Sequence, residues 1–211
     1  QLYSRLTRAF PKVLFESCAS GGGRFDLGMM YYAPQAWCSD DTDAVERIKI
    51  QDGTSYGYQQ SMWGAHVSAV PNDQVGRLTS LATRAAVAYF RDFGDELDSA
   101  KLPADPLTEI KDQVAFYQQY RRLFQFGRFY RLENPDTVSD NVYGWEVVND
   151  DRTMAIAARF QILNGANPAY IRVYFAGLDP EKQYTVNDSQ EKFSGAELMT
   201  AGYFVPRIMD R

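Results

Sequence analysis

Three carboxylates crowd the segment Trp37-Cys38-Ser39-Asp40-Asp41-Thr42-Asp43, where a short strand reads as passing into a helix. In parallel α/β folds, side chains at the C-terminal ends of strands converge on the ligand face. Carboxylates in tandem there suit general acid–base work, because a negative neighbour raises the pKa of a proton donor toward neutrality. Helix capping competes for the same residues, and Asp41 and Asp43 are equally well placed for it. Asp40 is the least needed as a cap and the nearest to the strand end. It is the candidate catalytic residue.

A second cluster is Phe15-Glu16-Ser17-Cys18-Ala19-Ser20-Gly21-Gly22-Gly23-Arg24-Phe25-Asp26. Glycines after a strand let backbone approach a ligand closely, although standing alone they read more readily as a plain turn. No Lys-Ser/Thr follows them, so this is not a Walker-type phosphate loop. The third cluster, Ser61-Met62-Trp63-Gly64-Ala65-His66-Val67-Ser68, holds the chain's single histidine. A lone histidine beside valines is more often a core residue than a catalyst. Trp63 suits a sugar face or a core position alike.

Zinc sites of the His-Glu-x-x-His type and facial-triad iron sites both need two histidines, and this chain has one. Its two cysteines, Cys18 and Cys38, lack Cys-x-x-Cys spacing, which argues against a structural zinc or a disulfide scaffold. No metal and no cofactor are expected. Lys+Arg 22 against Asp+Glu 27 gives a net charge of −5, which offers nothing to a nucleic-acid backbone or an anionic membrane. No apolar run is long enough to span a membrane, and no signal peptide is visible. With 45% hydrophobic and 23% charged residues the chain reads as packed and globular, and its 14% aromatic content suits ligands such as sugars, polar on one face and apolar on the other.

The elements that must position these clusters alternate. Residues 2–10 have helical spacing and close at Pro11. Residues 13–15 form a short apolar run readable as a buried strand ending in Glu16-Ser17-Cys18. Thr42 or Asp43 caps a helix to about Gln51, with Glu46 set for a capping box and Gly53 as its stop. A strand over 61–67, a helix over 78–90 and a long helix over 105–126 follow, the pattern of a parallel α/β sheet or barrel. After Gly127 the period changes. Short strands over 128–132, 143–148, 154–163, 170–175 and 183–186, with turns at 149–151, 164–167 and 177–180, have the spacing of an antiparallel β-sandwich.

The motif at 15–29, the segment Tyr31-Tyr32-Ala33-Pro34-Gln35-Ala36-Trp37-Cys38-Ser39-Asp40-Asp41-Thr42-Asp43-Ala44-Val45-Glu46-Arg47 and Ala65-His66-Val67-Ser68-Ala69-Val70-Pro71-Asn72 together resemble the family 36 glycoside hydrolases, the microbial α-galactosidases. Ser194-Gly195-Ala196-Glu197-Leu198-Met199 is similar to that family's closing strands. The resemblance implies the C-terminal part of a catalytic (β/α)8 TIM barrel over residues 1–127 and a C-terminal antiparallel β-sandwich over 128–211. It implies a retaining hydrolase of α-1,6-linked galactose in melibiose- and raffinose-type oligosaccharides. On it, Asp40 is the general acid/base, and Cys18, Ser20 and Gly21 line the galactose pocket, Cys18 as a small wall.

One departure dominates. The family's nucleophile lies in a Lys-Trp-Asp motif on an earlier strand, and no such motif occurs here. Asp52 and Asp95 also stand where an aromatic residue is usual, and are expected to shift local packing or surface contacts. Together with a start at Gln1 inside a helical pattern, this makes the chain read as a piece of a longer protein. Three functions are weighed: an α-galactosidase active only at full length, a raffinose- or stachyose-forming galactosyltransferase of the same superfamily, and a structural fragment inactive when isolated. The full-length protein is expected to be a cytoplasmic homo-oligomer with an α-galactoside oligosaccharide as its partner.

Overall fold

The computed structural model describes residues 1–133, 141–164, 166, 170–187 and 189–205. The chain divides into two compact units, Gln1–Gln125 and Phe126–Arg211.

In the first unit, strands alternate with helices. Helix α1 (Leu2–Ala9) leads to β1 (Glu16–Ser17), α2 (Leu27–Met30), β2 (Gln35–Ala36), α3 (Ala44–Thr54), β3 (Gly64–Ser68), α4 (Leu81–Ala88), β4 (Asp92–Glu96) and α5 (Ala104–Phe126). Strand β1 pairs with β2 and β3 with β4, all parallel, and one parallel bridge between Ala36 and Trp63 joins the two pairs. The order is therefore β1-β2-β3-β4, with every C-terminal end on one side.

Side chains along a strand alternate between faces. Ala65 and Val67 of β3 pack on Ala85 and Ala88 of α4, with Leu81, Tyr89, Phe93 and Leu97 around them. His66 lies on the other face, against Gly94 of β4, where an added Cβ would come within 2.9 Å of the imidazole. Helix α5 is held by aromatic packing. Tyr117 stacks on Phe93 at 5.1 Å and donates its hydroxyl to the Arg91 carbonyl at 2.8 Å, and buried Phe124 meets Phe90 edge-on at 5.3 Å.

Several expectations need correction. The apolar run at 13–15 is not the strand: Val13 and Leu14 are exposed, and pairing begins only at Glu16. Helix α3 runs through Gly53 to Thr54, since no turn there demands a left-handed residue. Strand β4 has no strand signature in the sequence, since Asp92-Phe93-Gly94-Asp95-Glu96 carries three acids and a glycine and no apolar alternation. Asp52 is buried on α3, and Asp95 is exposed on β4.

The second unit is antiparallel. Strands β5 (Arg128–Glu133), β6 (Val142–Val148) and β7 (Ala155–Gln161) form a three-stranded sheet. β8 (Ile171–Val173) pairs with β11 (Tyr203–Val205), and β9 (Gln183–Thr185) with β10 (Lys192–Ser194). The turn at 149–151 is built by Asn149, whose Oδ1 accepts from the Thr153 and Met154 amides, both at 2.9 Å. The turn at 164–167 lies partly outside the described residues. Residues 194–199 are not closing strands: they enter α6 (Gly195–Thr200), started by a capping box between Ser194 and Glu197. Leu198 of α6, Val148 and Leu178 form the core.

Strand β6 is buried at every position, including Glu146. One carboxylate oxygen accepts from the Ala176 amide at 2.7 Å, and the other has no hydrogen-bond partner among the described residues. Burial pushes this carboxyl up to about 8. The unfolded chain releases the proton near pH 4.5 while the folded chain keeps it, so stability is full below that pH and is lost as pH rises toward about 8. Glu146→Gln, a neutral isostere that retains the acceptor, is expected to flatten this dependence. Urea unfolding midpoints at the two ends of that window measure it, and a wild type with no fall across the window contradicts the assignment.

Candidate active site

The glycine and carboxylate clusters lie on the loops leaving the C-terminal ends of β1 and β2, whereas the third cluster, residues 61–68, leads into and forms β3 itself. After β2 the chain passes through Trp37 and Cys38 to the three carboxylates. Their duties differ. Asp43 is buried and caps α3, its Oδ2 accepting from the Val45 and Glu46 amides at 2.9 and 3.2 Å. The same oxygen pairs with Arg77, whose other terminal nitrogen lies 3.4 Å from Glu46. Glu46 thus turns to Arg77 instead of closing a capping box. Asp41 accepts from the Asp43 amide at 3.0 Å. Asp40 is exposed, and its carboxylate makes no hydrogen bond or ion pair among the described residues.

The glycine loop after β1 is seated against this segment. Gly21 is buried with φ +70°, and a Cβ there would stand 2.7 Å from the Ser39 Cα and 2.8 Å from the Asp40 nitrogen. A Cβ on Gly22 would meet the Cys38 carbonyl at 2.9 Å. Ser20 takes the left-handed conformation, φ 48°, and is exposed, as is the free thiol of Cys18. Arg24 pins the loop by donating to the Cys18 carbonyl at 2.6 Å. Gly21 is therefore the residue that brings the first cluster to the second. Cys18 and Ser20 lie on the same loop, and neither is hydrogen-bonded to Asp40 among the described residues.

His66 belongs to the framework. Its ring stacks on Trp37 at 4.4 Å, and its Nδ1 lies 3.4 Å from the Glu96 carboxylate. The Arg47 guanidinium also lies over the Trp37 ring at 4.2 Å, and Arg47 donates to the Cys38 sulfur at 2.6 Å. Burial pushes the Cys38 thiol up, only partly offset by Arg47. Trp63 is fully buried beneath Arg91, a core position and not a ligand face.

The most perturbed carboxyl of this unit is Asp92, pushed up to about 7 by burial. It begins β4, the end opposite the loops just described, and is hydrogen-bonded to Gln125. Position removes it from consideration as a partner of Asp40. Among the described residues no group of three or more His, Cys, Asp or Glu could hold a metal ion, and no helix is long and apolar enough to cross a membrane.

The C-terminal ends of parallel strands, where Asp40 and the Gly21 loop lie, are where barrel enzymes place their catalytic groups. The melibiase family model matches residues 1–127, and the C-terminal domain of glycosyl hydrolase family 36 matches residues 142–211. The chain belongs to this family, the family 36 glycosyl hydrolases. It is 49% identical over 206 residues to the α-galactosidase AgaA of Geobacillus stearothermophilus, covering 98% of this chain and 28% of that protein. The crystal structure of the α-galactosidase from Lactobacillus brevis is 64% identical and superposes with a TM-score of 0.98, over 100% of this chain and 28% of that one. A variant of AgaA in complex with raffinose is 47% identical with a TM-score of 0.94, over 99% of this chain and 29% of that one. The chain spans little more than a quarter of these relatives.

Gly21→Ala is expected to destabilise the fold by about 1–3 kcal/mol, combining a left-handed backbone with a Cβ driven into a neighbouring main chain. Thermal unfolding checks it. An unchanged melting temperature would mean that the two loops are not seated as described.

Proposed function

We propose that this chain supplies the acid/base half of the active site of a retaining α-galactosidase. Its four parallel strands are read as the last part of a (β/α)8 barrel over residues 1–127, and residues 128–211 as the following antiparallel β-sandwich. The observation that carries the reading is the division of labour at the end of β2: Asp41 and Asp43 are committed to the backbone, and Asp40 is left free beside the Gly21 loop. The raffinose bound by a relative of the same family supports an α-1,6-galactoside oligosaccharide as substrate.

Retention requires two carboxylates about 5–5.5 Å apart, a nucleophile and an acid/base. In the first step the nucleophile, on a Lys-Trp-Asp motif outside these residues, attacks the anomeric carbon. Asp40 gives its proton to the departing glycosidic oxygen. In the second step Asp40 takes a proton from water as that water attacks the same carbon, which releases galactose with its original configuration. Cys18, Ser20 and Gly21 line the galactose subsite in this reading, where the absence of a Cβ at Gly21 keeps the loop within reach of Asp40. Catalysis by residues 1–211 alone is not expected, because the nucleophile is missing. Two free thiols are consistent with the cytoplasmic setting we assign to the whole enzyme.

In the intact protein, Asp40→Asn is expected to lower kcat on raffinose or melibiose by roughly 10²–10⁴, the usual contribution of a positioned acid or base. First-step turnover of a nitrophenyl α-galactoside, whose leaving group needs no proton, is expected to be largely spared. Equal losses on both substrate types contradict the assignment.

A further inference from the structure

We propose that Gln74, held by Asn72, is a positioning residue for Asp40. The inference rests on the acid/base reading of Asp40 and assigns a role to the Val-Ser-Ala-Val-Pro-Asn segment that follows His66.

The end of β3 and the loop that follows it to α4 also grip the Asp40–Asp43 segment. Ser68, the last residue of β3, donates its hydroxyl to the Thr42 carbonyl at 2.9 Å. Asn72 is buried, and its Nδ2 donates to the Thr42 hydroxyl at 3.1 Å. Its Oδ1 accepts from the Gln74 and Val75 amides, both at 3.0 Å, so one side chain both fastens the loop and sets the direction of residue 74. Gln74 then reaches across and donates its Nε2 to the Asp40 carbonyl at 2.6 Å. Three residues on, Arg77 pairs with Asp43.

These bonds, with Gly21 against the Asp40 nitrogen, hold Asp40 by both ends of its main chain and leave its carboxylate unbound. That is the requirement for a group that must donate a proton and then retrieve one. A bond to the reacting carboxyl oxygen would have to break within the cycle, whereas a bond to the carbonyl persists through both steps. Gln74 touches no substrate in this scheme. It acts through the backbone it holds.

Displacing a reacting group by about 1 Å costs up to ~100-fold in rate. Gln74 is exposed, so Gln74→Ala is expected to leave folding intact. In the intact enzyme it is expected to lower kcat on raffinose roughly tenfold or more, with KM little changed. On a nitrophenyl α-galactoside the loss in kcat/KM, which reports the first step alone, is expected to be several-fold smaller than the loss in kcat/KM on raffinose, and the alkaline limb of the kcat/KM pH profile to move. Asn72→Ala is expected to reproduce that substrate dependence with an added loss of thermal stability.

Equal losses on the two substrates, or no loss on either, overturn the positioning role. Asp40→Asn measured alongside separates the two claims. If Asp40→Asn depends on the leaving group and Gln74→Ala does not, only the positioning role falls. If Asp40→Asn itself treats the substrates alike, the acid/base reading falls and the positioning role with it.

Discussion

A buried carboxylate at the start of α3 sets the geometry of everything around it. Asp43 accepts two helix amides and the Arg77 guanidinium at once, so the chain at that point has one conformation. Unpaired, a buried carboxylate would cost several kcal/mol, and here the helix N-terminus and an arginine both offset its charge. With Asp43 fixed and Asp41 folded back onto its amide, the turn at the end of β2 closes in a way that leaves Asp40 on the outside. The freedom of one carboxylate follows from the commitment of its neighbours.

Two loops from flanking strands complete the arrangement by different means. The β1 loop contributes shape: Gly21 lies where any side chain would strike the Asp40 backbone. The β3 loop contributes directed hydrogen bonds, from Ser68, Asn72 and Gln74 to Thr42 and Asp40. Both depend on the strands being parallel and adjacent, which brings three successive C-terminal ends to one side. Asp92 is the counter-example. Its carboxyl is pushed up to about 7 by the same kind of burial that tunes catalytic acids, yet it sits at the opposite strand end and is bonded to Gln125. A perturbed proton affinity marks a buried carboxyl, and only its location makes it a candidate catalyst.

Capping chemistry is local, so the sequence offers Thr42 or Asp43 as the start of α3; the structure gives that role to Asp43 and leaves Asp40 as the uncommitted carboxylate. The parallel and antiparallel halves were legible for a similar reason, since helical and strand periods differ over short windows. What escaped was set by tertiary partners. Strand β4 looks like an acidic loop because its pairing with β3, and the need for Gly94 beside the His66 ring, appear only in three dimensions. Exposed Val13 and Leu14 drew the first strand too early, apolarity being a poor guide where pairing starts at Glu16. The Ser194–Glu197 capping signature is present in the sequence and starts α6, at a place where likeness to the family's closing strands points the other way. Gln74 lies 34 positions from Asp40, and no local pattern announces that bond.

The central claim is that Asp40 serves as acid and base while a separate carboxylate forms the covalent link to galactose. Azide rescue of Asp40→Ala in the intact enzyme tests it most directly. Azide needs no general base, so it can attack a glycosyl-enzyme that water no longer resolves. The account predicts that azide restores turnover of an aryl α-galactoside and yields galactosyl azide of retained α configuration. Absence of rescue, or a β-galactosyl azide product, would assign Asp40 a different role.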